Sequence, residues 1–395
     1  MNRPASPRAP ALLRRPLGLT LALALGACGG GSSGGGSTPD ASPGDAHDPT
    51  DAPMADAAGD GAAVTPDAGT TPDVGATSDQ GASGDAAATT DATAQTDAAV
   101  GPDAAIPADA PLLGGFEAQI MAPVPAYDDV PETPGYTQFI GRVYDGPTPD
   151  LIVWEEAERE GGCRLLTPRV PFCETACGGH AACVEDNTCQ SYPTAQDVGS
   201  IHVHGALTPE GTHDFDASPV AHNYQQQLPY AAFVEGDVLQ IRAEGGDTVP
   251  AFSVASRGIA PLSLLDAGYT LADGMPFPLT WTPAADAGNA RILVKLDISH
   301  HGGARGKIEC ELDDTGAYTL PASLASHLLA LGVAGYPTVI VTRRAVESVA
   351  LSTGRVDFGV SSQVERAVDI PGLVSCFGDE DCPVGQTCQV DLTCL

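Results

Sequence analysis

Positive charge is scarce in this chain. Its 395 residues hold 18 Lys and Arg against 51 Asp and Glu, a formal net charge of −33. Such a chain repels nucleic acid and anionic lipid at long range, so neither is expected as a partner through charge attraction. Aromatic residues make up 5% of the chain, with only two Trp, Trp154 and Trp281, both in strand-like contexts where burial is expected. No apolar run after the first 25 residues is long enough to span a bilayer as a helix. Beyond residue 112 there is no Gly-x-Ser-x-Gly, His-Glu-x-x-His or P-loop pattern, and no close Cys-x2-Cys pair of the kind thiolate zinc sites favour. No cofactor is expected.

What is present begins at the N-terminus. Arg3, Arg8, Arg14 and Arg15 precede a short apolar run over 17–25, which ends in Leu25-Gly26-Ala27-Cys28. This arrangement resembles the signal and lipobox of bacterial lipoproteins. The resemblance implies acylation of the Cys28 thiol, removal of 1–27 as a signal peptide, and a membrane held as partner through the lipid. A conventional secretory signal with a chance Cys is the competing reading. Arg14-Arg15 hints at twin-arginine export, but the residues after it fit poorly. Gly29 stands where an Asp would favour inner-membrane retention, so the expected location is the outer membrane or cell surface, with a periplasmic face as the alternative. Removing the four Arg from −33 leaves −37.

Residues 28–112 read as a tether of Ala, Asp, Gly, Thr, Pro and Ser, without Lys, Arg, Glu or any aromatic residue. Eight of its 14 Asp recur every six residues, from Asp67 to Asp109. Calcium-binding β-rolls need paired Gly turns and an apolar residue in each turn, and these hexads have neither. The segment is expected to be disordered and charge-extended, with a random-coil reach of roughly 50 Å.

The remainder carries strand signals. Short runs rich in Val and Ile, punctuated by Gly, Pro and Asp, occur at 136–143, 150–154, 198–207, 237–243, 249–256, 290–299, 306–312, 336–344 and 355–362. One helix is expected, with Pro321 at its first position, an apolar stripe of Leu324, Leu328 and Leu331, and Gly332 as its stop. The expected fold class is all-β: antiparallel β-sandwich layers with one short helix, two small disulfide-rich modules and a long disordered N-terminal segment. The expected division is an N-terminal β segment over 113–172, a four-Cys module over 173–190, a β-sandwich domain over 191–375 and a second module over 376–395.

Cysteine spacing supports the modules. If Cys28 is acylated, ten of the 11 Cys remain, an even number for an oxidising compartment. The stretches 177–190 and 382–395 share the pattern Cys-x5-Cys-x5-Cys, and each has a further Cys upstream. Two bonds are expected among Cys173, Cys177, Cys183 and Cys189, and two among Cys376, Cys382, Cys388 and Cys394, with the connectivity inside each open. Subtraction leaves Cys163 and Cys310 to join two distant strand segments, a link worth about 4–5 kcal/mol in the chain-entropy view. The CxxxxDCPxGQxC style of module resembles those of many bacterial secreted proteins. The stretch from "LTWTP" (279–283) through "IECELDDTGAYTLP" resembles a β-sandwich region of similar lipoproteins. With the lipobox and tether, the resemblance covers roughly half of the chain; it implies export and architecture and no activity.

Two candidate sites stand out. Asp314-Thr315-Gly316 followed by Ala317 matches the local signature of an aspartic peptidase, which needs two facing carboxylates. The preceding Glu311 and Asp313 are charged where that family places apolar residues, and no second copy exists, so a dyad would need a homodimer. The turn reading places these residues in a hairpin loop with the Asp314 side chain facing solvent or capping nearby backbone N–H groups. His202 and His204, two apart on a strand, would share one face and could chelate Zn²⁺ or Cu²⁺ with a third ligand from His213, His222, His300 or His301; a solvent-facing pair is the alternative. The acidic groups Asp128, Asp129, Glu132 and Asp379, Glu380, Asp381 lack the spacing of a calcium loop. The chain therefore reads as a non-catalytic, lipid-anchored envelope protein whose sandwich meets an unknown envelope or extracellular ligand. A homodimeric peptidase at Asp314 and a His-based metal-binding protein are the alternatives.

Overall fold

The computed structural model describes residues 110–123 and 131–395, together with Ile106. The expected signal peptide, Cys28, the Asp hexads, Asp128 and Asp129 lie outside the described residues. In chain order the strands are β1 (Leu112–Met121), β2 (Tyr136–Tyr144), β3 (Val153–Glu160), β4 (Cys163–Arg169), β5 (Ala181–Glu185), β6 (Thr188–Ser191), β7 (Ala195–Gln196), β8 (Ile201–His204), β9 (Asp214–Ala217) and β10 (Tyr224–Leu228). They continue with β11 (Val238–Ala243), β12 (Phe252–Arg257), β13 (Tyr269–Thr270), β14 (Phe277–Thr280), β15 (Arg291–Asp297), β16 (Lys307–Asp313) and β17 (Ala317–Leu320). Helix α1 (Ala322–Ala330) follows, and then the two longest strands, β18 (Thr338–Leu351) and β19 (Gly354–Asp369).

The fold is all-β. One large sheet runs in the order β10-β2-β1-β19-β18-β15-β16-β4-β3, with β7 and β13 attached to β2 and β19. A smaller sheet runs β12-β11-β8-β9, and β14-β17 and β5-β6 form two-stranded ribbons. Nearly all pairings are antiparallel; β1 and β13 run parallel to β19, exceptions that short-range pattern does not reveal. Strands from both 113–172 and 191–375 enter the large sheet, so these two stretches build one folded unit and not two successive domains.

Two hydrophobic cores fill the space on one side of that sheet. In the first, Phe116, Ile120 and Phe139 of the large sheet meet Ile201, Leu239, Ile241 and Phe252 of the smaller sheet. The approach is close. A Cβ on Gly141 would lie 2.1 Å from the Phe116 ring, so only glycine fits opposite that ring. In the second core, Ile292, Val294, Leu296 and Ile308 meet Leu324 and Leu328 of α1, together with Phe277, Leu279 and Trp281.

Strands β18 and β19 belong to both cores. Val339 and Val341 lie in the second and Ala345 in the first; Val364 and Val368 lie in the second and Val356, Phe358 and Val360 in the first. At 14 and 16 residues they exceed the usual strand length. Neither core owns a complete layer without this hairpin.

Helix α1 begins one residue later than the apolar stripe suggested. Pro321 is its N-cap, with φ −58° and ψ 141°, and Gly332, at φ 87°, ends it. The run at 150–154 reached only Val153 and Trp154 of the edge strand β3, whose remainder reads Glu-Glu-Ala-Glu-Arg-Glu and carries no hydrophobic pattern. Charged side chains suit an edge that must resist further pairing.

The five disulfides are Cys163–Cys310, Cys173–Cys183, Cys177–Cys189, Cys376–Cys388 and Cys382–Cys394. Both modules thus join first to third and second to fourth Cys. Cys163 and Cys310 face each other on adjacent strands β4 and β16 and lie within the second core. The modules also repeat a turn. Asn187 and Leu392, each two residues before the last Cys, both adopt left-handed backbone, at φ 62° and 61°. Asn tolerates that conformation and Leu does not. We expect Leu392→Asn to raise stability by about 0.5–1 kcal/mol. Thermal unfolding under non-reducing conditions checks this, and a lower midpoint would contradict it.

Candidate functional site

The Asp314-Thr315-Gly316 turn does change the direction of the chain, with Gly316 at φ 90°. It is not a hairpin loop, however. β17 pairs with β14 rather than with β16, so the turn carries the chain from the large sheet into the opposite layer. Asp314 is thereby delivered between layers. It is 1% exposed, which corrects the expectation of a solvent-facing side chain.

Its partner is Arg343, the central inward-facing residue of β18 and also 1% exposed. Arg343 Nε donates to Asp314 Oδ2 at 2.7 Å and Nη2 donates to Oδ1 at 3.2 Å. Nη1 donates to the Ala260 and Pro261 carbonyls at 2.9 and 3.2 Å, and Nη2 also donates to the Thr282 carbonyl at 2.6 Å. All five guanidinium N–H groups are used. Asp314 is equally complete. Oδ1 also accepts from Trp281 Nε1 at 2.7 Å, and Oδ2 from the Ala284 N–H at 3.3 Å.

This chemistry differs from that of an aspartic peptidase. No second carboxylate is hydrogen-bonded to Asp314 among the described residues, and its four acceptor positions are filled by N–H donors, leaving none to hold water. The cluster marks a boundary. Arg343 lies between Val341 of the second core and Ala345 of the first. Opposite it on β19 stands Ser362, fully buried, whose Oγ accepts from the Leu262 N–H at 2.9 Å. The loop after β12 passes from Ile259 in the first core to Leu262 in the second, and the two carbonyls between them are those bound by Arg343.

His202 and His204 do share one face of β8, on the solvent side of the smaller sheet. They do not converge on a common point. Asp216 Oδ1 lies 2.5 Å from His202 Nδ1, Glu244 Oε1 lies 3.3 Å from His202 Nε2, and Asp214 pairs with His204. Each imidazole is clipped to its neighbouring strand by its own carboxylate. The Asp216 hydrogen bond, opposed by desolvation and aided by Glu244, raises the His202 pKa above 6.5. The clip is therefore at full strength below that value and fades as pH rises through the folded-state pKa. His300 and His301 lie with ring centroids 3.9 Å apart and planes tilted by 53°, in the loop after β15, whose Arg305 pairs with Asp391 of the second module at 3.5 Å. Among the described residues, the only groups of three His, Cys, Asp or Glu side chains close enough to share an ion are cysteines already in disulfides.

Asp379 and Asp381 act inside the second module. Asp379 accepts from the Cys388 N–H at 2.8 Å and Asp381 from the Phe377 N–H at 2.9 Å. Trp281 is buried as expected. Trp154 is half-buried, with the Lys307 ammonium 4.2 Å from its ring centroid.

One surface was missed by motif reading. On the solvent side of the large sheet, opposite the first core, the strand register sets Gln227, Gln138, Gln119, Ser361 and Arg344 side by side across β10, β2, β1, β19 and β18. The only available signal was strand alternation, and it needed the pairing register to become a row.

No family model matches the chain, and no curated protein matches it. Among solved structures, the FN1–FN3 domains of chicken CNTN1 align with 60% of this chain and 71% of that chain at 11% identity, with a TM-score of 0.16, a likeness too slight to bear on function. On its own geometry the chain is a disulfide-stapled β-sandwich protein.

Asp314→Asn leaves Arg343 charged, buried and short of acceptors, and aims an amide N–H at existing donors. We expect a loss of about 3–5 kcal/mol, with part of it restored by removing both charges in Asp314→Leu/Arg343→Met. Denaturant unfolding measures both; a loss below about 1 kcal/mol in the single variant would mean that the pair is solvated.

Proposed function

We propose that this chain is a lipid-anchored cell-envelope protein that holds its sandwich away from a membrane to bind an extracellular or envelope ligand. The observation that carries this reading is the polarity of β19. At one end of that strand the N-terminal segment arrives. The Arg355 N–H donates to the Pro111 carbonyl at 2.9 Å, and Leu112 pairs with Arg355. The second Cys module leaves from the other end, roughly 50 Å away at about 3.3 Å per residue. The first module returns through β7, which pairs with Val143 and Tyr144 of β2 beside Gly114 at the arrival end, although it leaves β4 from the far end. Leu166, Lys307, Asp297, Thr338 and Ala367 stand in successive register across the sheet there.

The chain leading toward Cys28 therefore leaves the sandwich at one end of β19, and the second module follows from the other. Disulfides suit an oxidising compartment. Among the described residues no helix is long and apolar enough to cross a membrane, so a lipid at Cys28 would supply the attachment. Binding fits this surface better than catalysis, because the two sequence candidates for chemistry are engaged in structural contacts.

Mass spectrometry of the membrane fraction should find the mature N-terminus at an acylated Cys28. Cys28→Ser should move the protein out of that fraction or leave it unprocessed. A wild-type protein that is wholly soluble and cleaved elsewhere would overturn the anchor.

A further inference from the structure

The solvent side of the large sheet next to the first core is a built hydrogen-bonding surface. No strand or helix of the described chain stacks on it. Gln227 is exposed, while Gln138 and Gln119 are half-buried in a fixed row. None of the three amides hydrogen-bonds another described residue, so toward the described chain each keeps two N–H donors and a carbonyl acceptor unused. The row continues into Ser361, which is fully buried with its hydroxyl donating to Glu117, and half-buried Arg344, whose Nη2 donates to Glu117 Oε2 at 3.3 Å. Glu117 thereby neutralises the one cation in the row. The neighbouring row brings Tyr136 to the same face, beside Met121.

We propose that this face binds a neutral glycan chain lying across the strands. This deepens the binding role proposed above and is tested separately from the anchor. The three amides span two strand spacings, roughly 10 Å, the scale of a short stretch of oligosaccharide. The amides present donors and acceptors at a regular repeat, which complements the repeating hydroxyls of a sugar polymer, and Tyr136 offers an apolar ring with a polar tip. Charge selects against the other polymers. A polyanion meets the field of a chain at −33, and a polycation finds denser acidic surface elsewhere on the molecule. A peptide adding as a strand needs an open edge, whereas this row lies largely inside the sheet, where backbone groups are already paired.

The test is native gel electrophoresis of the full chain bearing Cys28→Ser, so that lipid plays no part. The gels are cast with dextran, mannan, galactomannan, a mixed-linkage β-glucan or anionic polygalacturonate. At least one neutral polymer should retard the protein. Gln119→Ala/Gln138→Ala should weaken that retardation by about tenfold or more, because two partly buried amides then leave sugar hydroxyls unpaired. His202→Asn, on the smaller sheet, should leave it unchanged. Circular dichroism verifies that the variants remain folded. Absence of retardation by every neutral polymer, equal retardation of the double variant, or retardation by polygalacturonate alone would overturn the proposal. None of these results would alter the acylation readout at Cys28.

Discussion

The fold depends on a buried arginine. Arg343 sits on the inward face of β18 at the point where one hydrophobic core ends and the next begins. Burying a guanidinium is costly unless every donor finds an acceptor, and breaking such a pair costs more than its presence contributes. Here the acceptors come from three separate places: Asp314 after β16, the loop carrying Ala260 and Pro261, and Thr282 after β14. A chain that put any of these elsewhere would strand a charge. We infer that the pair defines which loops meet at the seam, while the apolar cores on either side supply most of the stability.

The same hairpin gives the molecule its direction. β19 collects the incoming chain at Leu112 and delivers it to the last disulfide module, with both cores hung along its length. The cross-strand bond Cys163–Cys310 and the two paired modules act where cores are thin: beside the charged edge strand β3 and at the end of the sheet where short loops could not bury enough surface to hold themselves.

Much of this was legible in the residues. The Val- and Ile-rich runs located most central strands, and the duplicated Cys-x5-Cys-x5-Cys spacing partitioned the disulfides correctly. Three things were not legible, each for a physical reason. β3 beyond Trp154 is charged at all but one position, so the run at 150–154 did not reveal its length. The parallel pairing of β1 with β19 joins residues more than two hundred apart in the chain, and only topology creates it. Asp314 looked like an exposed turn residue because turn chemistry is local, whereas its burial is decided by where β17 goes next. In the run Val-Ile-Val-Thr-Arg-Arg (339–344) apolar residues occupy both faces, so alternation alone does not say which Arg points inward.

The central claim is that the β18–β19 hairpin and its buried Arg343 make the two cores one cooperative unit. Native-state hydrogen exchange measures this directly. Slowly exchanging amides near Phe358, in the first core, and near Val364, in the second, should report the same opening free energy and share the denaturant dependence of global unfolding. Two distinct free energies, with one core opening while the other stays protected, would contradict the account.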